Sequence, residues 1–225
     1  MIPRFFNHYK LWIELIYSLV VILSCFLIYI KTKELYDLTS YKGVKYFRNT
    51  FLFFGITYFV RFILHLVFIS RIDRVFFKSI GLFEIAFFIM SYSSTMALIY
   101  LIYSVFWKEL NNKFFSNIKY FNLIALIMAF ISIIIRVPLA IFIFQAFIIL
   151  LLIIIGYSLY KKKKHKGNLS QLYLVYVLIF ILWIVSNILE FITYFSPAIG
   201  LIVYALSILS FVIILLKVFR KLNYS

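Results

Sequence analysis

The sequence is poor in the residues that build linkers, turns and disulfides. Its 225 residues include six glycines, three prolines and one cysteine. So few glycines and prolines leave no flexible linker, and we expect one membrane domain over residues 1–225. The lone Cys25 can form neither an internal disulfide nor a zinc site.

Charged residues are scarce as well. They make up 13% of the chain, against about a quarter of a soluble domain, whereas 66% of the chain is hydrophobic and 22% aromatic. No soluble core could hide that much apolar surface, so most of it must face lipid. The sequence therefore predicts an all-α, polytopic protein of the cell membrane. Its net charge of +16 is expected to anchor the ends of the spans and not to bind nucleic acid.

Seven apolar stretches are long enough to cross a bilayer, for which a helix needs about 20 residues. They cover residues 11–30, 51–70, 80–105, 120–136, 138–160, 172–195 and 199–217. A single helix over 120–160 would extend about 60 Å, twice the hydrocarbon thickness. Arg136 and Pro138 supply a charge and a helix-start proline, so we predict a tight hairpin there. The result is a seven-transmembrane-helix bundle.

The basic residues give this bundle a predicted direction. With seven spans, most of the 23 lysines and arginines fall on one side, in the segments 31–48, 108–119, 161–166 and 217–221. Cytoplasmic loops carry such an excess in membrane proteins. We therefore expect the N-terminus outside and the C-terminus inside. Within the polar segment 31–49, we expect a helix break between Ser40 and Gly43 and an anchor at the membrane surface.

Ionisable and amide side chains stand inside the apolar stretches, although such groups are costly in a membrane. Arg61 and His65 are four residues apart and so share one face of the second span. With the predicted directions, both fall in the outer half of the bundle. Four further polar residues fall at similar depths: Glu84, Gln145, Asn187 and Glu190. We expect Arg61 to be neutralised by Glu84, by Glu190 or by both.

Two interpretations of these residues stay open. They could form a buried network that fixes the rotation and register of the helices. Alternatively, they could line an outward-facing pocket for a small polar ligand, an ion or a proton, since ionisable residues within membranes often mark functional sites. A histidine beside carboxylates can change its charge near neutral pH. Glu14 and Tyr204 also belong to the outer third of the predicted bundle. In the third span, the hydroxyl-rich stretch MSYSSTM (90–96) predicts close helix packing.

The sequence lacks the residues that several kinds of membrane protein require for their chemistry. A retinal protein needs a lysine inside its last span, and here only Lys217 stands there, at the inner end. His65 is the only histidine within a predicted span, which disfavours haem ligation. No zinc-ligand spacing, P-loop, GxSxG or HExxH motif occurs. The sequence predicts neither an enzyme nor a bound cofactor.

The stretch YKGVKYFRNTFLFFGITYFVRF (41–62) resembles segments of small uncharacterised multi-pass membrane proteins of archaea. The resemblance rests on the run KG-x-KYFRN entering an aromatic helix, and it covers roughly the first two spans. That group has no assigned activity. The resemblance implies a prokaryotic cell membrane and a similar multi-span architecture.

Three hypotheses on function follow. The first is a receptor or sensor that binds a small polar ligand or a proton where Arg61 and His65 face Glu84 and Glu190, and that signals through a protein partner on its basic cytoplasmic face. The second is a small secondary transporter using the same pocket, although the spans show no internal repeat and no proline in their interiors. The third is a non-catalytic subunit of a membrane complex, in which the polar residues only brace the fold.

Overall fold

The computed structural model of the protein describes residues 4–69, 81–106, 118–135 and 197–223, together with the single residues 146 and 150. These ranges contain five α-helices and no strand, as the all-α prediction requires. The helices are α1 (Arg4–Thr39), α2 (Lys42–Ile69), α3 (Leu82–Phe106), α4 (Ile118–Ile135) and α5 (Pro197–Asn223).

Three of these helices are long and apolar enough to cross a membrane. The stretches that qualify are Leu11–Thr39, Lys42–Val67 and Leu82–Ser104. The apolar parts of α4 and α5 are shorter, Lys119–Ile134 and Tyr204–Leu216. Each of the five helices overlaps a predicted span, although α1 and α2 begin seven and nine residues earlier and α1 also ends nine residues later, and the three long ones indicate a membrane protein. The predicted spans 138–160 and 172–195, and the hairpin at 136–138, lie outside the described residues, so the count of seven stays a prediction.

The exposed face of α1 is apolar, whereas its buried face carries polar groups. Trp12 and Ile16 expose 52% and 57% of their surface. The apolar residues that continue this exposed face at helical spacing are Leu19, Leu23, Phe26 and Ile30. The polar residues on the buried face are Glu14, Ser18, Ser24 and Thr32. A helix of a soluble protein has the opposite arrangement, so the distribution fits a helix whose outside faces lipid.

A break of two residues, Ser40 and Tyr41, joins α1 to α2. Ser40 has a φ of 50°, and its N–H donates a hydrogen bond to the carbonyl of Tyr36 at 2.7 Å. This conformation closes the end of α1 by satisfying one of its last carbonyls. The break confirms the one predicted in this segment.

The helices alternate in direction along the chain. Glu14 contacts His65 near the start of α1, and Tyr29 contacts Arg48 farther along it, so α1 and α2 are antiparallel. We name the two ends of the bundle the His65 end and the Arg48 end. α3 is antiparallel to α2, α4 is antiparallel to α3, and α5 is parallel to α1. The contacts that set these last directions are Thr57–Ser93, Tyr46–Tyr103, Tyr103–Phe121, Phe88–Phe130, Glu14–Tyr204 and Lys31–Phe219.

An apolar core fills the middle of the bundle between α1, α2, α3 and α5. The rings of Phe54 and Phe211 lie 5.5 Å apart between their centroids. Around them are further buried residues: Val21, Cys25, Ile28, Phe51, Leu98, Leu101 and Ile214. A Cβ added at Gly55 would lie 3.4 Å from the Cβ of Cys25. Gly55 therefore allows α1 and α2 to approach closely, as small residues do in membrane helix pairs.

Candidate functional site

Ionisable and phenolic side chains are buried together near the His65 end, where α1, α2 and α5 meet. This polar cluster consists of Glu14, Tyr17, Tyr58, Arg61, His65 and Tyr204. Glu14, Arg61 and His65 expose only 5%, 9% and 8% of their surface. Charged side chains are almost never this buried unless they are paired, so their contacts define the site.

Glu14 binds side chains of two other helices. Its Oε2 lies 2.9 Å from Nε2 of His65 on α2. Its Oε1 accepts a hydrogen bond from the hydroxyl of Tyr204 on α5, at 3.2 Å. Each carboxylate oxygen therefore has a donor from a different helix. When the imidazole carries a second proton the contact with His65 is an ion pair, and otherwise it is a neutral-to-charged hydrogen bond.

The spacing of the sequence explains why these residues share an interface. On α2, Tyr58, Arg61 and His65 follow one another at intervals of three and four residues, which places them on one stripe of the helix. On α1, Glu14 and Tyr17 are three residues apart and share a stripe in the same way. Because α1 and α2 are antiparallel, the first part of one stripe meets the last part of the other.

Tyrosines connect the Arg61 side of the cluster to the Glu14 side. The hydroxyl oxygens of Tyr17 and Tyr58 lie 3.1 Å apart, within hydrogen-bonding distance. The ring of Tyr17 also packs on that of Tyr204, with centroids 4.7 Å apart. The guanidinium carbon of Arg61 lies 5.9 Å from the centroid of the Tyr58 ring, within the range of a cation–π contact. All six side chains therefore belong to one connected network.

The predicted site residues fall into three groups. Arg61 and His65 belong to the polar cluster. Glu84 is half-buried in the first turn of α3, where a carboxylate is favoured by the helix dipole and by capping geometry. Gln145, Asn187 and Glu190 lie outside the described residues. The pairing of Arg61 with Glu84 or with Glu190 stays a prediction.

The start of α3 gives Glu84 its local setting. Gly81 has a φ of +67°, and a Cβ there would lie 3.8 Å from Oε2 of Glu84. The carbonyl of Gly81 accepts the first hydrogen bond of the helix, from the N–H of Ile85 at 3.1 Å. Glu84 is thus the third residue of the helix, the position whose side chain reaches back toward the cap.

Four residues of the polar cluster are absent from the predicted site: Glu14, Tyr17, Tyr58 and Tyr204. The available signals were the predicted depth of Glu14, close to that of His65, and the stripe that Tyr58 forms with Arg61. These signals give depth and helix face. They do not give the rotation of one helix against another, which decides that Glu14 faces His65.

Hydroxyl groups join α2 to α3 below the cluster. The Oγ atoms of Thr57 and Ser93 lie 2.8 Å apart. Ser91, Ser93, Ser94 and Thr95 are all buried, and the hydroxyl of Thr95 donates to the carbonyl of Ser91 at 2.8 Å. Such bonds to the same helix satisfy a hydroxyl without a ligand. They confirm the interpretation of MSYSSTM as a packing segment.

An archaeal protein is similar to nearly the whole chain. It is an uncharacterised protein of Archaeoglobus fulgidus, 34% identical over 214 residues that cover 93% of this chain and 92% of the relative. The similarity thus extends well beyond the first two spans, to which the resemblance of residues 41–62 was limited. No family model matches the chain, and no solved structure is similar to it. The chain belongs to the same family as this Archaeoglobus fulgidus protein.

Proposed function

We propose that the protein is a sensor of the receptor type in the cell membrane, and that the species it binds is a proton at Glu14 and His65. The observation that supports this function is the 2.9 Å contact between these two side chains, buried where three helices meet. The output would be a change in helix packing that a protein partner detects on the cytoplasmic face.

The chemistry of the pair favours a proton. One proton on His65 decides whether the buried carboxylate of Glu14 faces a cation or a neutral ring, and such a change alters the packing around it. Among the described residues, the groups that face the pair are Tyr17 of α1, Tyr204 of α5, and Tyr58 and Arg61 of α2. Since Glu14 is bound from both α2 and α5, a change in its partner would be transmitted to both helices.

We further propose seven spans with the N-terminus outside. α1 and α5 run in the same direction, whereas α4 runs in the opposite one, so an even number of crossings must separate α4 from α5. The sequence between them offers two apolar stretches, 138–160 and 172–195, and two crossings satisfy the requirement. This arrangement also places most basic residues on the side of the Arg48 end, which supports a cytoplasmic location for that end.

Measuring the stability of the protein as a function of pH tests the proposal. We expect its thermal stability in detergent to depend on pH, because the contact between His65 and Glu14 is an ion pair only when the imidazole carries a second proton. His65→Asn should abolish this dependence. The chain offers two matched controls, His8→Asn and His165→Asn, which should retain it. A profile that is unchanged by His65→Asn, or that is abolished by a control substitution, contradicts the proposal.

A second measurement separates a sensor from the transporter that the same residues would suit. In vesicles containing a pH-sensitive dye, a sensor changes conformation without proton flux. Buried apolar residues such as Val21, Phe54 and Phe211 stand between the polar cluster and the Arg48 end, which favours the absence of flux. Flux that His65→Asn abolishes would assign the site to transport. If stability does not depend on pH, the remaining hypothesis is a non-catalytic subunit of a membrane complex, in which the polar cluster only stabilises the fold.

A further inference from the structure

The Arg48 end holds an arginine whose side chain is fixed by two aromatic rings. The guanidinium carbon of Arg48 lies 5.4 Å from the ring centroid of Tyr29 and 5.7 Å from that of Tyr36. Both tyrosines belong to α1 and lie seven residues apart, on one helix face. Nε of Arg48 is buried and has no hydrogen-bond partner within the described ranges. Two cation–π contacts thus hold a long side chain in one orientation.

Two lysines flank this arginine. Lys33 lies between Tyr29 and Tyr36 on the same face of α1, and Lys45 lies one turn before Arg48 on α2. Both lysines are exposed. Three positive charges therefore gather on the surface formed by these two helices.

Nearby acidic residues leave this charge largely uncompensated. Both carboxylate oxygens of Glu34 accept hydrogen bonds from Nζ of Lys31, each at 3.0 Å, so that acid already has a basic partner. Asp37 lies four residues after Lys33, but residues 31–48 contain five basic and only two acidic side chains. The surface at Arg48 remains positive, and it fits an anion.

The position of the surface along the helices indicates which anion it meets. The apolar stretch of α2 begins at residue 51. Arg48 lies three residues before it, a distance of about 5 Å along the helix. Tyrosine and basic side chains at such a boundary lie at the level of the lipid headgroups. A guanidinium offers a planar fork of donors that matches a phosphate, whereas an ammonium acts as a point charge.

We propose that Arg48, Lys33 and Lys45 bind the phosphate of an anionic phospholipid, with Tyr29 and Tyr36 orienting the guanidinium of Arg48. This site is independent of the proton site at the opposite end of the bundle. Its ligand is a lipid of the leaflet that contains the Arg48 end.

Binding of defined lipids to the full-length protein tests the proposal. Native mass spectrometry of the detergent-solubilised protein would measure the affinity for phosphatidylglycerol and for phosphatidylcholine. We expect preferential binding of phosphatidylglycerol. Arg48→Gln should weaken it about tenfold, which corresponds to the loss of a charge-assisted hydrogen bond. Lys119→Gln removes the same charge at the start of α4 and should leave the affinity within about twofold, since single contacts with screened surface charges contribute little.

Two further variants keep the proposal testable if Arg48→Gln fails to fold. Arg48→Lys keeps the charge and loses the fork, and Tyr36→Leu keeps Arg48 and loses one orienting ring. Each should reduce the preference for phosphatidylglycerol over phosphatidylcholine. Equal weakening by Arg48→Gln and Lys119→Gln would overturn the proposal. An unchanged preference in both Arg48→Lys and Tyr36→Leu would also do so, as would inorganic phosphate displacing the lipid at equal concentration.

Discussion

The polar cluster and the apolar core both hold α1, α2 and α5 together, by different means. In the cluster, Glu14 joins α1 to His65 of α2 and to Tyr204 of α5 through directional contacts. In the core, Phe54 and Phe211 join α2 to α5 through ring packing alone. Lipid tails are as apolar as a phenylalanine ring, so burial in the core gains little from the hydrophobic effect and depends on close packing. The cluster, in contrast, specifies one rotation of each helix.

Breaking one side of the buried pair should have the largest effect. His65→Leu removes the 2.9 Å contact that the buried carboxylate of Glu14 makes with His65 on α2, and we expect a loss of about 3 kcal/mol in the free energy of unfolding. Adding Glu14→Gln should restore part of that loss, because a neutral amide costs less to bury than a carboxylate. Unfolding in mixed micelles would measure both variants.

The neighbouring residue provides the control for this pair. Leu66 is exposed on the same turn of α2, and Leu66→Ala should change stability by no more than about 0.5 kcal/mol. Strictly additive losses for the His65 and Glu14 substitutions would show that the two side chains are not coupled.

Removing a ring from the core should have a smaller effect. Phe211→Ala opens a cavity beside Phe54 and Phe51, and we expect a loss of about 2 kcal/mol, less than the same change costs in a soluble core because the transfer term is weak in lipid. Unfolding under the same conditions would measure it, with the exposed Val212→Ala as the control. A loss larger than that of His65→Leu would reverse the order of importance of the two regions.

The smallest effect is expected between the two regions, where Thr57 and Ser93 join α2 to α3. Each hydroxyl also lies within hydrogen-bonding distance of a carbonyl of its own helix, so the hydroxyl that donates across the helices can donate to that carbonyl when the contact is lost. A double-mutant cycle of Thr57→Val and Ser93→Ala should give a coupling of about 0.6 kcal/mol, the average for such contacts in membranes. A coupling above about 2 kcal/mol would mean that α3 is fixed by polar contacts as strongly as α1 and α5.

The helices and the helix face shared by Arg61 and His65 were predictable from the sequence, and the pairing across helices was not. Runs of apolar residues predicted all five described helices, and Ser40 and its neighbours predicted the break after α1, because these features depend on local spacing and composition. His65 and Glu14 were both predicted to lie in the outer half of the bundle. Their contact depends on the rotation of α1 against α2, which is set by contacts between residues far apart in the sequence and which no single stretch encodes.

The close approach at Gly55 has a mechanical consequence. Gly55 lies between the two ends of this helix pair, with His65 about 15 Å to one side along α2 and Arg48 about 10 Å to the other. A side chain larger than alanine at Gly55 would meet Cys25 and push α1 and α2 apart, which would disturb the contact of Glu14 with His65 at one end and that of Tyr29 with Arg48 at the other.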